Sequence, residues 1–293
     1  MNMETQSSNT IDKIKKLGFH YYPDTLHYQY SDLQKWLPKL AALKATWLVL
    51  ISNPYRAIPE FFIQGLIENG INPLIHINEK PANEIDLSET TPLLDVYAKW
   101  GVKQVVLYDK PNMRSSWHSS EWIQGDIVDK FISRFLPLAL KTIENGMTPV
   151  IPPLVPGGDL WDTIFLKNLL EKLSTANTTK LLDYIALSSN NWHWNHNLSW
   201  GRGGPEKWTS AKPYMNLENE EDHRGFHIFE WYLSITNSIL GKTLPIILLG
   251  AGAAGVDNQY LIEPQPQDKH LDNIINIAKS IDGERHPNSD FIV

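Results

Sequence analysis

The sequence contains no cysteine. Disulfide bonds, thiolate metal sites and a cysteine nucleophile are therefore excluded. Basic residues are also in deficit, because 26 Lys and Arg stand against 33 Asp and Glu, for a formal net charge of -7. An acidic chain without a basic run is poorly suited to bind nucleic acid or an anionic membrane, so we predict neither as a partner.

Long hydrophobic runs are missing as well. The longest apolar stretch, residues 245–256, is too short and too rich in glycine to span a bilayer. Residues 1–16 are polar and lack the apolar segment of a secretion signal, so they are predicted to form a polar N-terminal extension. The remaining residues, 17–293, are predicted to form a single domain, and a cytoplasmic location is the default expectation.

Short apolar segments alternate with longer amphipathic ones along the whole domain. The predicted strands are residues 17–22, 46–52, 72–77, 103–108, 148–152, 182–188, 244–249 and 290–293. The predicted helices are residues 31–43, 59–69, 92–100, 126–145, 161–173, 224–240 and 269–281. Apolar strands that are each followed by a helix indicate a parallel sheet buried on both faces.

The number of strands decides between the two parallel architectures of the α/β class. Eight candidates, with no glycine-rich phosphate loop after the first, favour a parallel (β/α)8 TIM barrel over an open doubly wound sheet. The chain as given stops within the eighth predicted strand, so the eighth unit is predicted to be incomplete.

Active sites of such barrels lie at the C-terminal ends of the strands, and the residues at these predicted ends are polar and aromatic. Aromatic rings stack on the C–H faces of sugars, while polar groups bind the hydroxyls. We therefore predict a groove for a carbohydrate or another small polar ligand, and no cofactor; for any single tryptophan, packing is an equally good explanation. The candidate ligand-binding residues are His20, Tyr22, Arg56, His76, Asp109, Asn112, Trp117, Asp159, Asn191, Trp192 and Trp194.

The predicted sixth loop, residues 189–223, is unusually long and carries four of the 11 tryptophans. A long loop in a compact domain is usually functional or disordered, and this many aromatic residues argues against disorder. His193 and His196, together with an acidic or histidine neighbour, could suggest a metal site. The two histidines lack the helical spacing of metal ligands, so no metal site is predicted. His223 and His227 are interpreted as ordinary residues on a helix face.

A family resemblance rests on the residues that follow the fourth predicted strand. Tyr108-Asp109-Lys110-Pro111-Asn112 resembles the Asn-Glu-Pro-Asn signature of cellulase-type glycoside hydrolase barrels. Two further segments, residues 156–159 and 200–205, are similar to bacterial cellulase-like proteins. The resemblance covers the strand and helix layout of the whole chain, but its motifs are confined to strands four to seven.

The resemblance implies catalysis by two carboxylates, a general acid/base after strand four and a nucleophile after strand seven, about 5 Å apart in retaining enzymes. In this sequence Lys110 and Gly250 occupy those two positions. A lysine with a pKa near ~10 is a poor proton donor to a leaving group, and glycine offers no nucleophile. Lys110 is expected to form an ion pair with Asp109 or a neighbour.

Three hypotheses follow. The leading one is a pseudo-glycosidase, a barrel that has lost hydrolysis and acts as a carbohydrate-binding or scaffolding module. The second is an active carbohydrate hydrolase with relocated acids drawn from Asp109, Glu79 and Asp159. The third is a structural or assembly protein that uses residues 189–223 as a protein interface, a role that suits Trp and Tyr equally well.

Overall fold

The computed structural model describes residues 17–175, 179–194, 196–212, 220–252, 267–283 and 291–292. The predicted N-terminal extension lies outside these residues. The strands form one parallel eight-stranded sheet in sequence order, and helices follow them in alternation, which confirms the TIM-barrel fold. The strands are β1 (Gly18–His20), β2 (Trp47–Ser52), β3 (Asn72–Ile77), β4 (Gln104–Leu107), β5 (Thr148–Leu154), β6 (Ala186–Trp192), β7 (Ile246–Gly252) and β8 (Phe291–Ile292).

The helices match the seven predicted ones and add two short ones. They are α1 (Tyr30–Ala42), α2 (Glu60–Glu68), α3 (Leu87–Lys99), α4 (Ser119–Gln124), α5 (Ile127–Glu144), α6 (Asp162–Thr175), α7 (Gly204–Lys207), α8 (Ile228–Leu240) and α9 (Gln267–Gly283). The unpredicted α4 and α7 are too short to show a helical period in the sequence. None of the described helices combines the length and apolarity needed to cross a membrane.

Two apolar layers hold the barrel together. The inner layer consists of one or two small aliphatic side chains from each of β2 to β7, stacked at the level of Val49 and Leu74. The outer layer is larger and lies between the sheet and the helices, where Phe131 and Phe165 are fully buried. This arrangement explains the near-continuous apolar strands, because each strand buries both of its faces.

The sheet is not closed by backbone pairing among the described residues. β8 pairs with β7, and β1 pairs with β2, but no described backbone hydrogen bond joins β8 to β1. One side chain crosses this side of the barrel, because the His20 Nε2–H donates to the carbonyl of Leu249 on β7.

One strand lies four residues away from its prediction. β6 spans Ala186–Trp192 instead of residues 182–188, and Thr179–Asp183 forms a 3-10 turn. The long sixth loop therefore begins after Trp192 rather than at residue 189. This shift turns Asn190, Asn191 and Trp192 into strand residues, whose side chains alternate between the inside and the outside of the barrel.

Candidate functional site

The open end of the barrel is lined by side chains that lie above the inner apolar layer. His20 is the register partner of Val49, and His76 follows Leu74 by two residues, so both histidines share the inward direction of that layer. By the same alternation, Asn190 and Trp192 face inward from β6. The C-terminal edge thus brings together imidazole, amide and indole groups from opposite sides of the barrel.

Three charged or titratable groups form a cluster where β3 and β4 end. His76 is 4% exposed, and its Nε2–H donates to the carbonyl of Tyr108 at 2.9 Å, with the Asp109 carboxylate 4.0 Å away. Burial lowers the pKa of His76, so its ring is neutral near pH 7. The Lys110 ammonium lies 3.7 Å from Asp109, which confirms the predicted ion pair.

The backbone at this cluster is strained. Tyr108 and Lys110 have φ values of 72° and 44°, in the left-handed region that costs a non-glycine residue about 1–3 kcal/mol. The turn directs the Tyr108 ring outward against Phe131, with ring centroids 6.2 Å apart, while Asp109 remains beside His76. Trp194, after β6, has a φ of 48° and packs edge-on to Trp192 at 5.6 Å. Such strain concentrates at functional sites in many proteins.

Gly250 lies in close contact with β6. The pairing of β6 and β7 shifts register between Ser189 and Asn190, and this places Gly250 opposite Asn190. A Cβ at residue 250 would lie 2.6 Å from the Asn190 Oδ1 and 3.2 Å from the Trp192 indole nitrogen. The amide and the indole therefore fill the volume that any side chain at residue 250 would need.

Gly250→Ala is expected to lower the free energy of unfolding by about 1–2 kcal/mol, because the methyl group must displace Asn190 from its place beside β7. Where the backbone tolerates it, replacing glycine with alanine usually raises the free energy of unfolding by about 0.5–1 kcal/mol. The sign of the change is therefore informative. Urea unfolding of the variant measures it, and Ala251→Ser at the exposed neighbouring position serves as the control. A stabilised Gly250→Ala protein would contradict the close contact.

Three predicted ligand residues are buried in structural contacts instead of lining the open edge. The Asn112 side chain, 0% exposed, bonds to Val155 and Leu160 of the next loop. The Trp117 indole donates to the Pro111 carbonyl, and the Arg134 guanidinium packs over its ring. The Asn191 side chain, also 0% exposed, donates to the Phe226 carbonyl; as a β6 residue of the outward-facing set, it points to the helix layer.

The other candidates are dispersed around the edge. Tyr22 stacks on His27 at 3.8 Å, and Arg56 is exposed in the loop after β2. The Glu79 carboxylate accepts from the Asn83 amide at 2.6 Å, and the Asp159 carboxylate accepts from the backbone of Arg114 at 2.8 Å.

The candidate acids are therefore held by separate partners. Glu79 and Asp109 are linked through their backbones, where the Asp109 N–H donates to the Glu79 carbonyl at 2.9 Å.

The described part of the long sixth loop is held together by contacts of its own aromatic residues. Trp200 stacks on His196 at 4.1 Å and donates to Asp222 at 3.1 Å, and Trp208 donates to the Arg202 carbonyl at 3.0 Å. Burial alone would raise the pKa of Asp222, but donors on Trp200 and Arg224 hold it below its usual value.

The interpretation of His223 and His227 as ordinary helix-face residues is wrong, because both rings are buried and paired. The His227 Nδ1 lies 2.8 Å from Glu230, and the His223 Nε2 lies 2.9 Å from Asp162. Asp162 is fully buried and also accepts from the Tyr232 hydroxyl at 2.8 Å. Sequence reasoning missed this cluster because its members lie up to 70 positions apart. No group of three or more potential metal ligands occurs among the described residues.

Comparison with known proteins supports the fold. No protein-family model matches the sequence, and no curated protein matches it. The structure is similar to a GH39 enzyme from Xanthomonas axonopodis pv. citri, with a TM-score of 0.57 and 10% identity over 96% of this chain and 58% of that one. The chain thus spans little more than half the length of that enzyme.

Two further solved structures are similar at TM-scores below 0.5. A GH128 (subgroup II) endo-beta-1,3-glucanase from Sorangium cellulosum gives a TM-score of 0.48 and 11% identity over 94% of this chain and 86% of that one. Fructose-bisphosphate aldolase from Plasmodium falciparum gives a TM-score of 0.44 and 11% identity over 97% of this chain and 84% of that one. At these identities the similarity to the GH39 enzyme shows the TIM-barrel fold and nothing about activity.

Proposed function

We propose that this chain is a glycosidase-like barrel that binds carbohydrate at its open C-terminal edge without hydrolysing it. The observation that carries the proposal is the closed volume beside Gly250. If that position corresponds to the nucleophile of cellulase-type barrels, the space for a carboxylate there is filled by Asn190 and Trp192. At the other expected position, Lys110 is neutralised by Asp109 and cannot act as a carboxylic acid.

The aromatic pair supports binding. Trp192 and Trp194 are both half-buried and lie edge-to-face, an arrangement that leaves ring surface at the edge of the barrel. Two polar groups at the ends of other strands are of the kinds that take sugar hydroxyls, namely the His20 imidazole after β1 and the Lys110 ammonium after β4. Indole faces for the C–H surface and fixed polar groups for the hydroxyls are the two requirements of a sugar site.

The direct test is titration calorimetry with a panel of neutral tetrasaccharides built from glucose, xylose or N-acetylglucosamine. We expect one member to bind, and Trp192→Ala or Trp194→Ala to weaken that binding about tenfold or more, because a stacked indole contributes on the order of 1 kcal/mol or more. Trp100→Ala is the matched control, since Trp100 follows α3 at the opposite end of the barrel. Failure of every sugar to bind, or binding indifferent to both substitutions, would overturn the proposal.

Relocated catalysis is the second candidate, and one observation favours it. Asp109 is half-buried between a neutral histidine and an ammonium, which is a suitable setting for proton transfer. Incubation of the same oligosaccharides with the protein, followed by product analysis, distinguishes binding without hydrolysis from relocated catalysis. Turnover that disappears in Asp109→Asn would replace the binding proposal with this one.

The hypothesis of a protein interface within residues 189–223 has less support. The indole N–H groups of Trp200 and Trp208 donate hydrogen bonds within the fold, and the His196 ring stacks on Trp200. Aromatic anchors of interfaces instead project toward a partner.

A further inference from the structure

A cavity separate from the open C-terminal edge lies outside the barrel wall, between α6 and α8 and against residues 205–212 of the long sixth loop. Its volume is 330 Å³. Trp161 and Trp231, both 8% exposed, form two of its walls. His223 lies between them, with ring centroids 5.3 Å from Trp161 and 6.0 Å from Trp231. The volume and the two flat walls suit one or two fused rings.

The histidine in the wall has a fixed orientation. Its Nε2–H donates to Asp162, whose carboxylate also accepts from the Gly157 N–H and the Tyr232 hydroxyl, each at 2.8 Å. Burial and the Asp162 charge raise the pKa of Tyr232 well above its usual value, so the phenol remains a donor. With the Nε2 edge held by Asp162, the His223 ring is a fixed part of the cavity wall.

Charge at this cavity favours an anion. Lys167 from α6 and Lys212 from the loop both contribute to the lining. Among the described lining residues the one carboxylate, Asp222, already accepts from the Trp200 indole and from the backbone and side chain of Arg224. Within this described lining, an incoming anion therefore meets no unneutralised acid and two ammonium groups, of which Lys167 also lies 3.8 Å from the Glu171 carboxylate.

We propose that this cavity binds a planar aromatic carboxylate, with its ring against the walls formed by Trp161 and Trp231 and its carboxylate toward the lysines. The remaining lining is mainly apolar, with Ile164, Pro205 and Ile235, and Thr163 adds one hydroxyl. A sugar acid would bring more hydroxyls into this cavity than these few polar groups can pair, at a cost in affinity. An aromatic ring has no such requirement, so it is the better match to the lining.

The probe is 2-naphthoate, titrated into the full chain and followed by calorimetry. We expect saturable binding with one site. Ile235→Trp fills the cavity from α8 and Lys167→Glu reverses a charge at its rim, so each is expected to weaken binding about tenfold or more. Lys172→Glu is the matched control, because Lys172 lies on the same helix but pairs with Asp129 outside the cavity. Thermal melting verifies that each variant is folded.

Several outcomes would overturn the proposal. They are absence of naphthoate binding by the wild-type chain, equal weakening by Lys167→Glu and Lys172→Glu, and glucuronate binding more tightly than naphthoate. The neutral 2-naphthamide is expected to bind about tenfold more weakly than naphthoate, and equal affinity would also contradict the role of charge. Trp192→Ala at the barrel opening is expected to leave naphthoate binding unchanged, so the outcome is independent of sugar binding.

Discussion

Replacing Asp162 with alanine is expected to lower the free energy of unfolding by about 4 kcal/mol, the largest effect of any single substitution considered for this protein. The carboxylate is fully buried and accepts three hydrogen bonds, from the Gly157 N–H, the His223 imidazole and the Tyr232 hydroxyl. Removing it leaves all three donors buried without an acceptor, and each unsatisfied group costs on the order of 1–3 kcal/mol. Thermal unfolding should report the change as a fall in Tm of about 10 °C.

The control for this substitution is Asp159→Ala. Asp159 lies three residues earlier, in the loop before α6, but it is exposed and accepts one backbone hydrogen bond, from Arg114 at 2.8 Å. Its loss is expected to cost less than about 1 kcal/mol. Equal destabilisation by the two alanines would show that the loop, and not the buried cluster, is responsible.

The same carboxylate predicts a dependence of stability on pH. Burial alone would raise the pKa of Asp162, but His223 and the other hydrogen-bond donors outweigh it and hold the pKa below its usual value. The stabilisation is therefore complete above the unfolded pKa of about 3.9, and it is lost as the pH falls toward the folded value. The difference in unfolding free energy between wild type and Asp162→Asn should thus be constant near pH 6–7 and shrink below about pH 4. A difference that grows on acidification would contradict this sign.

The fold was predictable because its signal repeats. Seven βα units each present an apolar strand and an amphipathic helix, so an error in one boundary leaves the topology intact. β6 shows where the signal fails. Leu181 and Leu182 are apolar and buried but belong to a 3-10 turn, whereas the strand continues through the polar residues 188–191. Apolar character marks burial, and it does not by itself mark a strand.

The candidate site was predictable only where neighbours in space are neighbours in sequence. The pairing of Lys110 with Asp109 could be inferred because the two residues are adjacent. The contact of Gly250 with Asn190 depends on the register shift between β6 and β7, and the partners of Asp162 lie 61 and 70 positions away. Such contacts follow from the packing of strands and helices that are distant in sequence, and they leave no local pattern in the sequence.

Asn112→Ala is expected to cost about 3 kcal/mol in unfolding free energy while leaving ligand affinity unchanged. Position 112 was predicted from the sequence to bind ligand, but its amide joins two loops. The Nδ2 group donates to the carbonyls of Val155 and Leu160 at 2.9 and 3.0 Å, and Oδ1 accepts from the Val155 N–H at 2.9 Å. With 0% exposure, the side chain cannot reach a ligand at the open edge.

Two further variants make this prediction specific. Asn112→Asp keeps the acceptor but sets a carboxylate oxygen against two carbonyls, so it should destabilise at least as much as alanine. Asn78→Ala is the matched control, because Asn78 is an exposed asparagine at the end of β3, on the same edge of the barrel, and its loss should change stability by less than about 0.5 kcal/mol. Urea unfolding gives the free energies, and calorimetry at low temperature gives the affinity of the folded fraction. If Asn112→Ala proved fully stable but lost affinity for the sugar, residue 112 would belong to the binding site after all.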